Sequence, residues 1–242
     1  MNIIKLNAIN STNDYLKELM QAQYLDNFTI VAAAHQTQGR GQMGSEWNVE
    51  AGKNLTFSIL IKDLLLDISG IFNLNAATAV SIAEALDAFH IADICIKWPN
   101  DILAGNKKLG GILIENSIKN NGEIFSVVGI GLNVNQQGFD GLPKAGSLLS
   151  VTGREYDIDG LLTAIAENLK RNTAALRNGQ ADAIWEKYHK KLYKKNTPMP
   201  FEKSGKKFMG IIKGVTRQGH LEVLLQDDSV AFFNIKEVQM LY

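Results

Sequence analysis

Residues 36–47, QTQGRGQMGSEW, decide the fold class. Gly39, Gly41 and Gly44 match the G-x-G-x-x-G fingerprint of dinucleotide-binding proteins, and the apolar residues before them predict a strand. That fingerprint needs a helix that opens at the last glycine and crosses over to a parallel strand. Only eight residues, 45–52, lie between this glycine and Lys53, just before the next predicted strand. The segment therefore predicts a glycine-rich loop between two strands and not a dinucleotide-binding fold.

Predicted strands and amphipathic helices alternate on both sides of this loop. Apolar residues recur at spacings of three and four over about 12–24 and 72–90 and around 158–169 and 183–192, which predicts four helices. Buried strands are predicted over 28–34, 55–61, 94–98, 109–115 and 124–134. A hairpin turn is predicted at Asn120-Asn121-Gly122, between the last two strands. We therefore expect an α+β domain over residues 1–195, with a mixed sheet and helices on one side.

The character of the sequence changes near residue 196. Pro198 and Pro200 interrupt the pattern, and short apolar runs follow at 207–215, 221–225 and 230–235. These runs predict a small β-barrel of about 45 residues, 196–242, as a second domain. A chain of 242 residues has the length for one to two domains.

The overall charge argues against several classes of function. The chain carries 25 Lys and Arg and 25 Asp and Glu, so its formal net charge is zero and provides no field to attract polyanions. We therefore expect no dedicated nucleic-acid binder. No apolar run reaches the roughly 18–20 residues of a membrane span, and Cys95 with four histidines offers no metal-binding spacing. The sequence predicts a cytoplasmic protein without zinc, a disulfide or redox chemistry.

Three segments carry residues suited to anion chemistry. Arg40 lies in the glycine-rich loop, where backbone amides can approach an anion closely. The segment 97–101, KWPND, ends a predicted strand with Lys97, which could pair with a phosphate, and Asp101, which could hold Mg²⁺ or accept a proton. Lys108 precedes two glycines and an apolar strand, so a ligand can approach the backbone beside its ammonium group.

Each segment alone also has a structural explanation: a mobile glycine hairpin, a salt bridge at a proline turn or a β-bulge. Together, the three cations, one carboxylate and glycine-thinned strands indicate a site that activates a carboxylate with a nucleotide. Preorganised donors there would stabilise the charge on a pentavalent α-phosphate. The chain has no G-x-x-x-x-G-K-[ST] segment and no recognisable Ser/His/Asp or Cys/His motif.

The motifs taken in order resemble the signature of biotin protein ligases. They are STN at 11–13, QTQGRGQMGSEW at 36–47, KWPND at 97–101, KLGGILIE at 108–115 and GIGLNVN at 129–135. The segment GIIKGVTRQGHLEV at 210–223 is similar to the SH3-like domain of those ligases. The resemblance covers nearly the whole chain, and it implies a class II synthetase-like catalytic domain followed by a small SH3-like β-barrel.

The resemblance implies a two-step reaction. Biotin and MgATP give biotinyl-5′-adenylate and pyrophosphate, and a lysine of a biotin carboxyl carrier protein then attacks the adenylate and releases AMP. ATP is a co-substrate with Mg²⁺, and no tightly bound prosthetic group is expected.

The same resemblance assigns roles to the matched residues. Catalytic roles fall to Arg40, Lys97, Asp101 and Lys108, with Asp101 also the metal candidate. Biotin contacts fall to Ser11, Thr12, Asn13, Gln36, Gly39, Arg40, Gly41, Gln42, Lys108 and Gly111. ATP or adenylate contacts fall to Arg40, Trp47, Lys97, Asn100, Lys108 and Asn133.

Two departures from the family pattern concern the glycine-rich loop. Many relatives have a second arginine where this chain has Gln42, and another basic residue where it has Ser45. We therefore expect faster release of the adenylate. The STN motif begins at residue 11, which leaves no room for the winged-helix DNA-binding domain of some members. We expect a monofunctional ligase that binds neither DNA nor membranes, with a homodimer through an exposed strand edge as a further expectation.

Two alternatives stay open from the sequence. The first is a lipoate or octanoate ligase or transferase, although the chain lacks the R-x-x-G-G-G-x-V pattern and Cys95 lies inside a predicted buried strand. The second is a non-catalytic biotin-binding module, which needs the biotin pocket but not the phosphate-binding cations. ATP dependence separates the second alternative from an enzyme.

Overall fold

A seven-stranded mixed sheet forms the larger part of the protein. The computed structural model describes residues 1–62, 64, 70–118 and 123–242, without the side chain of Met43. The strands of this sheet are β1 (Ile3–Ile9), β2 (Ile30–Gln36), β3 (Leu55–Lys62), β4 (Ile94–Lys97), β5 (Asp101–Ala104), β6 (Lys107–Ile118) and β7 (Ile124–Leu132). Their order is β1-β2-β3-β7-β6-β5-β4. The α+β class and the mixed sheet are therefore confirmed.

The connection between β2 and β3 bears out the interpretation of the glycine-rich loop. The two strands pair antiparallel, with Ile30 opposite Ile59. The loop between them contains a single 3-10 turn, Gln42–Gly44, and a bridge between Arg40 and Glu46. Because the strands are antiparallel neighbours, no crossover helix is needed, and the loop folds back over one end of the sheet.

Helices cover both faces of this sheet. They are α1 (Thr12–Ala22), α2 (Ile71–Ala88), α3 (Leu148–Thr152), α4 (Ile158–Arg177) and α5 (Ala181–Lys190). The long helices α2, α4 and α5 pack together, as the prediction of helices on one side requires. Helix α1 contradicts that prediction, since it packs against the opposite face.

The alternation of strand side chains explains the two helix layers. Val31, Leu60 and Val127 are buried in one cluster with Leu16 of α1. Their neighbours in sequence, including Ile30, Ile59 and Val128, belong to the cluster that contains α2 and α4. Successive side chains of a strand point to opposite faces, so the continuous apolar runs of β2, β3 and β7 supply two cores. An apolar strand without alternation thus signals a sheet that is covered on both faces.

The C-terminal region forms a second, five-stranded antiparallel sheet in the order β11-β10-β9-β8-β12. Its strands are β8 (Pro198–Lys203), β9 (Lys206–Val215), β10 (Leu221–Leu225), β11 (Val230–Phe233) and β12 (Gln239–Met240). The second sheet contacts the first directly, because the indole Nε1 of Trp98 donates to the Gly219 carbonyl at 2.8 Å. This contact joins the β4–β5 turn to the β9–β10 turn.

Several elements were absent from the sequence prediction. Strand β1 lies at the sheet edge and pairs in parallel with β2, so its outer side needs no continuous apolar run. Strand β5 has four residues, too few for a recognisable pattern. Pro198 and Pro200 lie inside β8 rather than interrupting the sheet, because proline loses only its N–H and the Pro200 carbonyl still accepts from Leu241 N at 3.0 Å. The predicted turn at 120–122 falls outside the described residues.

In the part of the chain that the structure describes, no helix is both long enough and apolar enough to cross a membrane.

Candidate functional site

A cavity of about 650 Å³ opens between the larger sheet, the glycine-rich loop and the end of the C-terminal sheet. Most of the residues singled out from the sequence line it: Ser11, Thr12, Asn13, Gln36, Arg40, Gly41, Gln42, Trp47, Lys97, Asn100, Asp101, Lys108 and Gly111. The start of α1, the end of β2, the β4–β5 turn and the middle of β6 and β7 bring these residues together. Two predicted residues, Gly39 and Asn133, are not part of the cavity wall.

One end of the cavity is a buried network of neutral hydrogen-bonding groups. The Gln36 side-chain carbonyl accepts two hydrogen bonds from Thr12: one from the backbone amide at 2.8 Å and one from the side-chain hydroxyl at 3.0 Å. Ser58 lies behind these residues, with its hydroxyl 2.7 Å from Thr12 Oγ1 and 2.5 Å from Asn13 Oδ1. Asn13 Nδ2 donates to Glu115 Oε2 at 2.7 Å. The network fixes the side-chain orientations at the start of α1.

Ser58 and Glu115 are functional candidates that the sequence prediction missed. Ser58 lies inside the apolar strand β3 and is fully buried, so its hydroxyl needs a partner there. A serine within an otherwise apolar strand was the available signal. Gly129 lies next to this hydrogen-bond network, because a Cβ at that position would lie 2.5 Å from Asn13 Oδ1. The glycine therefore makes room for the Asn13 side chain.

Trp47 forms the cover of the cavity beside β7. A Cβ on Gly131 would collide with the Trp47 indole ring, and a Cβ on Gly39 would collide with the Trp47 carbonyl. Gly39 thus acts on the cavity through the loop backbone, without lining the cavity itself. The indole Nε1 of Trp47 is buried and has no hydrogen-bond partner among the described residues. These glycines are needed for close approach of the tryptophan, as glycine inside a strand often is.

The other end of the cavity is cationic. Asp101 Oδ2 lies 3.1 Å from Lys97 Nζ, and Asp101 Oδ1 lies 2.6 Å from Lys108 Nζ. The sheet fixes this triad, since Lys97 pairs with Asp101 across β4 and β5, and Asp101 pairs with Gly111 across β5 and β6. Asp101 is nearly buried, whereas the Lys108 side chain is 38% exposed. The carboxylate therefore holds two ammonium groups side by side at the cavity wall.

The turn that carries this triad is held from two sides. Asn75 of α2 donates to the Pro99 carbonyl at 2.8 Å, and Trp98 is bound by the C-terminal sheet as described above. Asn100 Nδ2 donates to the Ile112 carbonyl at 2.8 Å. The Trp98–Pro99 peptide bond is cis. Asn100 thus anchors the turn to β6 and contributes to the cavity wall.

Arg40 is held in an ion cluster next to the neutral end. Its Nη2 lies 2.6 Å from Asp14 Oδ1 and 3.6 Å from Glu115 Oε1. Lys17 Nζ contacts the same two carboxylates at 2.9 and 3.1 Å. Burial lowers the pKa of Lys17, but the hydrogen bonds to Asp14 and Glu115 outweigh it, so the pKa is raised. The cluster is neutral overall. Both ion pairs of Arg40 use Nη2, which leaves the other N–H groups of the guanidinium for a ligand.

Asn133 is buried behind the cavity and does not line it. Its Nδ2 donates to the Gly146 carbonyl at 2.9 Å, which fixes the segment after β7. Its Oδ1 is buried and has no hydrogen-bond partner among the described residues. Buried side-chain oxygens in proteins nearly always accept a hydrogen bond, so this oxygen is an exception.

The cavity differs in charge from the whole chain. Among the described residues that line it, five are basic and two are acidic, a net charge of +3. The basic residues are Arg40, Lys97, Lys108, Lys144 and Lys236, and the acidic ones are Glu46 and Asp101. The positive charge lies mostly at the end opposite to the neutral network. The wall therefore suits an anionic ligand with an uncharged polar end.

The described residues contain no group of three or more His, Cys, Asp or Glu side chains that could hold a metal ion. Both oxygens of Asp101 are taken by lysine ammonium groups. The donor set around Asp101 thus does not fit a resident metal.

Cys95 lies apart from this cavity. It lines a shallower cavity of about 320 Å³ with Asp93 and residues 190–194. Burial raises the pKa of the Cys95 thiol to about 11, so the thiolate is scarce at neutral pH. The thiol donates weakly to the Gly105 carbonyl at 3.7 Å. A cysteine in this position cannot act as a nucleophile on a ligand between Trp47 and Lys108.

Comparisons with known proteins bear on the family of the chain. The family model "Biotin/lipoate A/B protein ligase family" matches residues 6–135. The chain is 30% identical to the biotin–[acetyl-CoA-carboxylase] ligase of Mycobacterium tuberculosis over 215 residues, which are 87% of this chain and 79% of that protein. It is 32% identical to the bifunctional ligase/repressor BirA of Bacillus spizizenii over 67% of this chain and 51% of that protein. The chain thus spans about half the length of this bifunctional relative.

The fold is similar to solved structures over nearly its whole length. The biotin protein ligase from Aquifex aeolicus in complex with biotin and ATP superposes with a TM-score of 0.82 at 24% identity, covering 99% of this chain and 98% of that one. This likeness includes the C-terminal sheet. The family model and the mycobacterial relative together show that the chain belongs to the biotin/lipoate A/B protein ligase family.

Proposed function

We propose that this protein is an ATP-dependent biotin–protein ligase. It would form biotinyl-5′-adenylate and pyrophosphate from biotin and MgATP, and then transfer biotin to a lysine of a biotin carboxyl carrier protein. One observation carries the proposal: a single cavity joins a buried neutral hydrogen-bonding end to a wall with a net charge of +3. Biotin has a neutral ureido ring at one end and a carboxylate at the other, so it matches both ends.

The neutral end would select the ureido ring. The ring offers one carbonyl acceptor and two N–H donors, and the Thr12, Asn13 and Gln36 side chains offer both donors and acceptors. Their geometry is fixed by Ser58 and Glu115. A site that satisfies every polar group of a buried ligand also rejects ligands that lack those groups, because its own groups would be left unpaired. Lipoate and octanoate have no ureido ring.

In the first step a carboxylate oxygen of biotin would attack the α-phosphorus of ATP. A bond between the carboxylate oxygen and the α-phosphorus forms, and the bond from the α-phosphorus to the bridging oxygen of pyrophosphate breaks. Lys108 and Arg40 would reduce the repulsion between the two anions, and Lys97 would bind phosphate oxygens. Asp101 would keep Lys97 and Lys108 at the phosphate. Mg²⁺ would enter with ATP as part of the co-substrate.

In the second step the carrier lysine, as a neutral amine, would attack the acyl carbon of the adenylate. An amide bond forms, the amine gives up one proton to solvent, the bond from the acyl carbon to the phosphate oxygen breaks, and AMP leaves. Trp47 and the glycine-rich loop would cover the adenylate and keep water away from it. Asn133 would act on the nucleotide end through the backbone that it holds, because its Nδ2 donates to the Gly146 carbonyl and the Gly146 amide donates to the Lys108 carbonyl.

The test is pyrophosphate release with MgATP and one acid at a time: biotin, lipoate or octanoate. Mass spectrometry would identify the acyl-adenylate, and a carrier domain would be offered in a second stage, with its acceptor lysine replaced by arginine as the control. We expect release with biotin, a biotinyl-adenylate peak and labelling of the unmodified carrier. Release with lipoate or octanoate alone would instead support the related ligases, and biotin binding without ATP-dependent chemistry would support a binding module.

The remaining expectations are part of this proposal. We infer that residues 1–195 are the catalytic domain and 196–242 an SH3-like domain, in a cytoplasmic enzyme that does not bind DNA. A homodimer would use the outer edge of β1, because the other outer strand, β4, already pairs with Leu192 through Ile96. Light scattering on the purified protein measures this state directly, and a mass of one chain, 26.6 kDa, would exclude the dimer.

A further inference from the structure

Tyr242 lies beside two lysines that line the cationic end of the cavity. Lys144 Nζ is 4.1 Å from the centre of its ring, and Lys97 Nζ is 5.4 Å from the same centre. All three residues line the cavity. Neither Lys144 nor Tyr242 belongs to any of the sequence motifs described above. Two ammonium groups on one ring repel each other, so their placement at a cavity wall needs an explanation.

Separate parts of the chain fix these groups. The Lys144 carbonyl accepts from the Lys108 amide at 2.7 Å, and the Gly146 amide donates to the Lys108 carbonyl at 2.9 Å. The backbone of Lys144 is therefore bound to the start of β6. Tyr242 comes from the C-terminal sheet, where the Leu241 amide donates to the Pro200 carbonyl at 3.0 Å. Its ring also packs against Tyr193, with centroids 5.2 Å apart.

The charges at this end are not balanced. Asp101 is shared by Lys97 and Lys108, and Lys144 has no carboxylate within ion-pair distance among the described residues. Three ammonium groups thus face one carboxylate. Burial, together with the Asp101 carboxylate, raises the pKa of Tyr242 to about 12. The phenol therefore stays neutral, and the positive charge at this end is open to an incoming anion.

We propose that Lys144 and Tyr242, together with Lys97, bind the pyrophosphate leaving group of ATP. The inference rests on the proposed function, because it assigns the leaving group of that reaction. As the bond between the α-phosphorus and the bridging oxygen breaks, negative charge grows on the β-phosphate, and the Lys144 ammonium neutralises it. Tyr242 holds the ammonium through its ring. The C-terminal sheet thus contributes a residue to the first chemical step.

Lys144→Met tests this subsite, with Lys107→Met as the matched control. Lys107 lies close to Lys144 in space, since its Nζ donates to the Pro143 carbonyl at 2.7 Å, but it is exposed and does not line the cavity. We expect Lys144→Met to raise the KM for ATP about tenfold, the size of one partly exposed charge-assisted contact, with an unchanged KM for biotin. Lys144→Arg should restore most of the loss. An equal rise in both KM values, or the same effect of Lys107→Met, would overturn the assignment.

Tyr242 is tested by two replacements that separate ring from hydroxyl. Tyr242→Phe retains the ring over Lys144 and should change the KM for ATP by about twofold or less, whereas Tyr242→Leu should raise it about two- to fivefold through loss of the cation–π contact. Thermal unfolding of each variant detects a general loss of structure. A Tyr242→Leu variant that is stable and kinetically unchanged would remove Tyr242 from the subsite.

Direct titration of magnesium pyrophosphate into the full-length protein separates this inference from the proposed function. We expect measurable binding by the unmodified chain and about tenfold weaker binding by Lys144→Met. Absent binding to the unmodified chain, or equal binding by both proteins, would refute the subsite even if biotin drives pyrophosphate release. Failure of biotin-dependent release with intact, Lys144-dependent pyrophosphate binding would refute the biotin ligase proposal and leave the anion subsite standing.

Discussion

Replacement of Lys108 by alanine removes the cation that lies between the neutral and cationic parts of the cavity. Lys108 Nζ is 2.6 Å from Asp101 Oδ1, and its side chain is 38% exposed. Asp101 retains Lys97 Nζ at 3.1 Å, so the carboxylate is not left without a partner. We therefore expect a small loss of stability, about 1 kcal/mol, as for other partly exposed ion pairs.

The expected effect on chemistry is much larger. In the proposed reaction the Lys108 ammonium faces charge that develops on the α-phosphate. Loss of one preorganised donor to such a charge lowers the rate by about 10²- to 10³-fold, or about 2.7–4 kcal/mol. Lys108→Ala should therefore nearly abolish biotin-dependent pyrophosphate release, while the protein melts within a few degrees of the unmodified chain.

The assay is single-turnover adenylate formation at saturating biotin and MgATP, with thermal unfolding measured on the same samples. Lys107→Ala is the control, because it removes the adjacent lysine, which is exposed and binds the Pro143 carbonyl outside the cavity. Adenylate formation by Lys108→Ala within threefold of the unmodified rate would refute the role of Lys108. A comparable loss in Lys107→Ala would show that the effect is structural.

Three further predictions concern the neutral end and the cover of the cavity. Ser58→Ala removes a fully buried hydroxyl between two site residues. The free energy of unfolding should fall by about 1–3 kcal/mol, and the KM for biotin should rise more than the KM for ATP. Equal rises of the two KM values would contradict a role at the biotin end. In Gly131→Ala the new Cβ collides with the Trp47 indole and should slow adenylate formation, whereas Gly138→Ala, with nothing near its Cβ, should not. Equal rates of adenylate formation by the two variants in stopped-flow measurements would reject the steric argument. Gln42→Arg restores a loop cation that many relatives carry and should slow dissociation of the adenylate; equal dissociation rates would disprove this.

Much of the fold followed from local patterns in the sequence. The eight residues between Gly44 and Lys53 left no room for a crossover helix, and β2 and β3 are indeed antiparallel neighbours. Apolar spacing located the long helices, and the side chain of Ser11 accepts from the Asp14 amide at the start of α1. Elements were missed where the local signal is short or weak, as in the edge strand β1 and the four-residue β5.

The position of α1 shows what such patterns leave open. Its amphipathic spacing predicts a buried face but does not say which face of the sheet it covers. That choice depends on the side to which Val31, Leu60 and Val127 point, and so on strand order and register. The apolar runs of β2 and β3 are compatible with α1 on either face of the sheet, because both faces of these strands are apolar.

The candidate site divides in the same way. The motifs located Arg40, Lys97, Asp101 and Lys108, because glycine and proline near a charged residue mark a strand end or a loop that a ligand can approach. The sequence did not show which residues distant in the chain these side chains contact, such as Glu115 beside Arg40. It also did not show the contact of Ser58 with Asn13 behind the neutral end.

Lys144 and Tyr242 carry no local signal at all, and they meet because the segment after β7 binds β6 while the C-terminal sheet closes over the same cavity. Backbone propensity and side-chain periodicity act over a few residues, so the sequence by itself determined the elements and the chemistry-bearing motifs. Strand order and the packing of one sheet against the other act over the whole chain, and only they decided which of these side chains face each other across the cavity.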